Sequence, residues 1–461
     1  MARDSEKRYN SKNSVVASDS TTNDLRHTTS LPPPIRDEPF SHGFFDRDEG
    51  TVKARREWLK MSFASVLVLW FIIWAFLSIY WAALGRSSTN IHNLTGYVVD
   101  FDGGEIGRAV TQAFTSIHSP EQMSWLAIDP GQFPNGPSDV EAALLDDRCW
   151  AAVTINPGAT NNLTAAINEH NGSYNTSVAL TAYITTARSE NIYRGPISTG
   201  LTSVLTSVAK TYSLNMAKQL ASRTDLSTLL TAAPLLVTQP LGFVLNDLRP
   251  FDVPVASAVD YVGLIYLLIL SFFMTNQLLA AYTQSGFGRR LKLRSLILIR
   301  LLWPTILYLL VSLMYSLLSL AFGVPFGRKY GQAGFVIYWM MSWVGMMALG
   351  LALESMITIL TVKFIALFLI LWIIANVSVA FYPIEVLPAV FRFGYAMPFY
   401  NVSKTVRTIV FDTKNQVGLN FGIQLSWVVV SCITLPFFQW FVRRQEVEAW
   451  RKSQIQQQEK A

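Results

Sequence analysis

Cysteine is nearly absent, with two residues in 461, Cys149 and Cys432. Cys149 lies in a polar stretch and Cys432 inside an apolar run, so no disulfide is expected between them, and no zinc-type spacing occurs. Charge is scarce too. Charged residues make up 15% of the chain, against about 25% in soluble proteins, while 51% of it is hydrophobic and 13% aromatic. This balance argues against an ordinary soluble domain and for a membrane protein. Gly-x-x-x-x-Gly-Lys-Ser/Thr is missing, so the chain has no P-loop of its own. Gly-x-Ser-x-Gly and His-Glu-x-x-His are missing as well. The five histidines are scattered; His92, His118 and His170 share one polar region without a metal pattern. The expectation is a protein that is not an enzyme and holds no cofactor or metal. Net charge is +6, but the bases gather beside apolar runs. They read as topology signals, with no nucleic-acid partner implied.

Long apolar runs are what the chain has instead. Residues 61–84 carry no charge between Lys60 and Arg86. At 1.5 Å per residue this run rises about 36 Å, enough for a bilayer core of about 30 Å. It is too long for a cleaved signal and should stay as an anchor. Five more apolar runs follow, near 261–282, 301–323, 330–353, 364–382 and 423–442. The fold class expected is a polytopic α-helical membrane protein of six transmembrane helices, with a large mixed α/β extracytoplasmic domain between the first and second. The boundaries read as a disordered cytosolic tail at 1–57, helix one at 58–85 and the outer domain at 86–256. A five-helix block at 257–443 and a cytosolic tail at 444–461 complete the plan. Lys53, Arg55, Arg56 and Lys60 precede the first run, and Arg289, Arg290, Lys292 and Arg294 follow the second without one acid. Both clusters place both termini in the cytosol. The bases Arg392, Lys404, Arg407 and Lys414 argue weakly the other way, because their connection should face outside.

Within the outer domain, residues 96–101 and 150–155 read as strands, with a turn at Asp102-Gly103-Gly104. Ser138-Asp139-Val140-Glu141 is a capping-box pattern opening a helix through Leu145. Leu201, Val204, Leu205, Val208, Tyr212 and Leu220 recur at helical spacing. Residues 234–256, with four prolines, read as an extended approach to the membrane. Four glycosylation sequons begin at Asn93, Asn162, Asn171 and Asn175.

Polar residues inside apolar runs are the candidates for a substrate path: Asn276, Gln277, Glu354 and Asn376. The simpler readings are hydrogen bonds between helices for the amides, and a headgroup-level pair with a base such as Lys363 for Glu354. Residues 383–422, broken by Pro383, Pro388 and Pro398, read as a re-entrant pair of half-helices or as interfacial helices. Arg289, Arg290, Lys292 and Arg294 are the expected contact for a cytosolic partner.

The plan resembles the membrane domains of ABC-2-type exporters, especially the phage-infection-protein-like branch. More closely it is similar to the fungal nitrosoguanidine-resistance membrane proteins. The residues that carry the likeness are 77–81 (Leu-Ser-Ile-Tyr-Trp), 98–104 (Val-Val-Asp-Phe-Asp-Gly-Gly), 150–156 (Trp-Ala-Ala-Val-Thr-Ile-Asn), 254–266, Leu387-Pro388 and Met397-Pro398. Ala82-Ala83 departs from the glycine expected after Trp81. The resemblance implies a cell-membrane protein that exports a small amphipathic toxicant. Its partners would be membrane lipid and either a separate ATPase or a second copy of the chain. A non-transporting scaffold or regulator, acting on lipid distribution or on other transporters, is the alternative.

Overall fold

The computed structural model describes residues 42–460, apart from the side chains of Arg289 and Lys460. Most of the expected tail at 1–57 lies outside the described residues. Its last part does not fit the expectation, because a helix begins at Glu49. Asp48 caps that helix by accepting from the Thr51 amide at 2.7 Å.

Contacts divide the chain into two units, residues 1–66 and 67–461. The first helix, α1 (Glu49–Leu84), runs across this boundary and loosens into a π-type turn at Ile73–Leu77. From Leu67 to Trp74 its side chains are exposed, except Ile72.

After α1 comes a five-stranded sheet: β1 (Thr95–Asp100), β2 (Ser124–Ile128), β3 (Ala151–Ile155), β4 (Leu180–Ile184) and β5 (Phe243–Asp247). The strand order is β2-β1-β3-β4-β5, and all neighbours are parallel except β3 and β4. Its helices are α2 (Glu105–Thr115), α3 (Pro137–Leu145), α4 (Ala159–Asn168) and α5 (Ser198–Leu220). The α5 stripe expected from the sequence is buried at Leu201, Leu205, Val208, Tyr212 and Leu220 and joins the main core. A smaller cluster holds Val99, Val140, Leu144, Cys149 and Tyr183. The Asp102-Gly103-Gly104 turn is explained by its bonds. Asp100 accepts from the amides of Asp102 and Gly103, both at 2.9 Å, and Gly103 sits at φ 64°.

Two local expectations are corrected. No capping box forms at Ser138: Gly136 caps α3 with φ 71°, Pro137 takes the first helical position, and Asp139 accepts from the Asn135 amide. Residues 234–256 are not simply extended. They hold a short helix, Pro234–Thr238, and β5. Val244 and Leu245 on that edge strand are exposed, which removed the alternation a strand reading needs.

The helix block comprises α6 (Val262–Gln284), α7 (Leu293–Ala321), α8 (Ala333–Val377), α9 (Pro398–Phe411) and α10 (Val417–Lys460). Among the described residues, five helical elements are long and apolar enough to cross a membrane, where six were expected. The difference lies in α8, which contains both the fourth and the fifth expected run. Thr361 breaks it, at φ 61° and ψ 173°. A methyl placed on Gly334 would lie 3.4 Å from Ile409, and one on Gly345 would lie 3.2 Å from Val402. Asn376 accepts from the Phe399 amide at 3.1 Å. Both ends of α8 therefore reach α9. A straight helix from 334 to 376 would rise about 63 Å and α9 rises only about 21 Å, so α8 doubles back at Thr361.

Candidate functional site

The segment between α8 and α10 begins with short 3-10 turns at Ile384–Val386 and Ala389–Ala396. Pro388 and Pro398 break the backbone there, since proline cannot donate to a continuing helix. Helix α9 follows, buried along nearly all its length. Its first turn is completed from another helix: the Asn376 side chain accepts from Phe399 while donating to Trp372 O at 2.9 Å. Gln424 on α10 donates to Pro398 O at 2.7 Å.

Around α9 lies a set of ion pairs that join the sheet domain to the helix block. Arg407 reaches Glu190 at 2.6 Å and Asp260 at 2.7 Å and donates to Ala187 O at 2.9 Å. Arg249 pairs with Asp412 at 2.7 Å, and Lys329 contacts the same carboxylate. Arg328 grips Asp252 through two bonds, at 2.8 and 2.9 Å. Lys414 donates to Asp146 O at 2.8 Å. Arg188 is buried against Trp150, 3.5 Å from its ring, pairs with Asp147 at 3.0 Å and donates to Cys149 O at 2.7 Å. A small cavity of about 30 Å³ opens between Trp150, Arg188, Tyr400, Lys404 and Arg407. Among the described residues, half-buried Lys404 has no acid in ion-pair contact, and burial pushes its ammonium down to about 8. Burial likewise pushes the Cys149 thiol up to about 12.

Three of the bases that argued against the expected topology thus have structural surroundings. Arg407 and Lys414 contact acids or carbonyls of the sheet domain and Lys404 lines the cavity, whereas Arg392 is exposed. A base satisfied inside the protein carries little topological weight, so Arg407 and Lys414 count for little as loop charge.

A second polar group lies within the helix block. Glu354 is 1% exposed and pairs with Arg300 at 2.7 Å. Arg300 also donates to Glu354 O at 3.1 Å and to the Gln439 carbonyl. Arg300, not Lys363, is therefore the partner of Glu354. The other candidates are placed separately. Asn276 donates to Phe272 O of its own helix at 2.9 Å, and Gln277 is exposed. Asn376 holds α9, and none of the four lines the junction cavity. Arg290 and Lys292 are exposed in the α6–α7 connection and Arg294 in the first turn of α7; the side chain of Arg289 lies outside the described residues. Asn162, Asn171 and Asn175 are exposed, while the exposed Asn93 donates its amide to Glu385 O at 3.1 Å. Sequence reasoning missed Arg300 and Gln439, although a base seven residues into an apolar helix was a usable signal.

The chain is 24% identical to a protein named "Uncharacterized endoplasmic reticulum membrane protein YJR015W" from Saccharomyces cerevisiae, over 436 residues that cover 87% of this chain and 83% of the relative. No solved structure matches it significantly. A family model described as "Protein of unknown function (DUF3533)" matches residues 65–433. With most of its length covered, including the sheet, α9 and the ion pairs around it, this multi-pass membrane protein belongs to the DUF3533 family.

Proposed function

We propose that the protein is an export permease of the cell membrane that confers resistance to small amphipathic toxicants of the nitrosoguanidine type. In this reading α8 crosses the bilayer twice, reversing at Thr361, so six crossings leave both termini in the cytosol and the sheet domain outside. The observation that carries the reading is the broken 383–411 segment. Its helix α9 is enclosed by protein along nearly all its length, the turns before it alternate buried and exposed residues, and Arg407 ties it to both the sheet domain and the segment before α6. Irregular backbone at membrane depth is tolerated where protein or water surrounds it, and such segments commonly line gated paths. Energy would come from a separate ATPase docking at Arg289, Arg290, Lys292 and Arg294. Membrane lipid and a second copy of the chain are further partners on this reading.

The second reading is a non-transporting scaffold or regulator, which the engagement of Asn276, Asn376 and Glu354 in structural bonds favours. Accumulation of a labelled toxicant separates the two. Under export, cells lacking the protein hold more of it and lose the excess on re-expression. Unchanged accumulation alongside altered resistance rejects transport.

A further inference from the structure

The Arg407 group is unbalanced. One guanidinium nitrogen, Nη2, faces two carboxylates, Glu190 Oε2 at 2.6 Å and Asp260 Oδ2 at 2.7 Å. The two acid oxygens can be no farther apart than those contacts allow. All three side chains are buried, and Asp260 is 0% exposed. Glu190 Oε2 and both Asp260 oxygens lack a well-formed hydrogen bond. The remaining Arg407 donors are directed at Ala187 O and Ser403 Oγ. The group thus carries two negative charges against one positive, out of water. Two carboxylates that share one site and one counter-charge do not both ionise readily, because each raises the cost of charging the other.

Among the described residues, no further cation is in ion-pair contact with either acid. On α9, Lys404 lies one turn before Arg407 and half-buried, while Asp412 is already held by Arg249 and Lys329. From the sheet domain, Arg188 is paired with Asp147, and exposed Arg194 lies beyond the Phe251 ring. Glu385 on the cavity rim adds a further acid. From α7, the buried Tyr315 hydroxyl lies within electrostatic range of Asp260 and contributes no charge.

We propose that the Glu190–Asp260 pair is a proton-binding site, holding one exchangeable proton at the junction of the sheet domain and the helix block. Binding is a simple addition. A proton from solvent joins one carboxylate to give the acid, Arg407 stays a guanidinium, and the group becomes neutral overall. The two acids titrate as a pair, so the proton belongs to neither residue alone. Glu190 belongs to the domain and Asp260 precedes α6, so uptake of the proton weakens the charge pairing through which Arg407 joins the two. This inference stands whether or not the protein transports.

Difference infrared spectroscopy on the full chain in lipid nanodiscs, stepped from about pH 8 to about pH 5, tests it. The wild type gains a buried carboxylic-acid carbonyl signal, sensitive to deuterium exchange. Glu190→Gln and Asp260→Asn each lose one acid equivalent of it, because the remaining carboxylate then pairs one-to-one and stays ionised. Lys404→Met and Glu385→Gln retain it. If one neutralised variant fails to fold, the other decides. The proposal is overturned if the wild type gains no such signal, or if a folded Glu190 or Asp260 variant keeps it undiminished.

Discussion

Arg300 and Glu354 are both nearly inaccessible and hold each other through side chain and backbone, with Gln439 taking a third Arg300 donor. Removing one partner of such a pair strands the other charge, at a cost of about 3–5 kcal/mol, whereas replacing both with apolar side chains is often nearly neutral. Glu354→Gln and Arg300→Met should each lower the thermal stability of the purified protein markedly, and the double replacement Arg300→Met with Glu354→Leu should recover most of the loss. Equal losses in the single and double variants would show that the pair is not the source of the stability. The role of Glu354 was only half legible in the sequence. An acid in an apolar run announced a partner, but nothing local named Arg300, which lies 54 positions away. The Arg407 group was harder still, because its acids come from the sheet domain and from the segment before α6.

Helix α9 is organised by an amide borrowed from α8. Asn376 does for Phe399 what a side chain at the helix start would ordinarily do, since an N-terminal turn leaves backbone donors without partners. Asn376→Ala should cost about 1–2 kcal/mol, the range for a lost cap or a stranded buried donor. Hydrogen exchange should accelerate over residues 398–402 and stay unchanged in β1 and β3. Uniform acceleration across the chain would mean general destabilisation instead. Elements with a strong local pattern were readable in advance. β1, β3 and α5 follow buried apolar spacing, and the long helices follow hydropathy. β2 and β4 are five residues each and carry little periodicity, and β5 is an exposed edge. The division between the fourth and fifth runs, expected between residues 353 and 364, falls at Thr361.

Across the whole molecule, the side on which the sheet domain lies decides most of the functional reading. Asn171 and Asn175 are exposed on turns closed by their own side chains, accepting from the Ser173 and Ser177 amides at 3.0 Å. Asn93, by contrast, has its amide bound to Glu385 O. With the domain lumenal or outside, glycan should be carried at Asn171 and Asn175 and not at Asn93. Asn171→Gln and Asn175→Gln should each reduce the mobility shift that endoglycosidase removes, and Asn93→Gln should leave it unaltered. A chain with no such shift, bearing a tag between residues 160 and 180 reachable only from the cytosol, would reverse the assigned sides.

The bareness of α1 matters most when the surrounding bilayer changes thickness. Few neighbours pin residues 67–74, so this helix must meet hydrophobic mismatch by leaning. Its uncharged length of about 36 Å would need an inclination of about 40° in an endoplasmic reticulum bilayer of about 27 Å, the upper edge of what such helices adopt. In a plasma membrane of about 33 Å it would need only about 24°, close to the average. The helix would thus stand more upright in the thicker bilayer and lean to its limit in the thinner one.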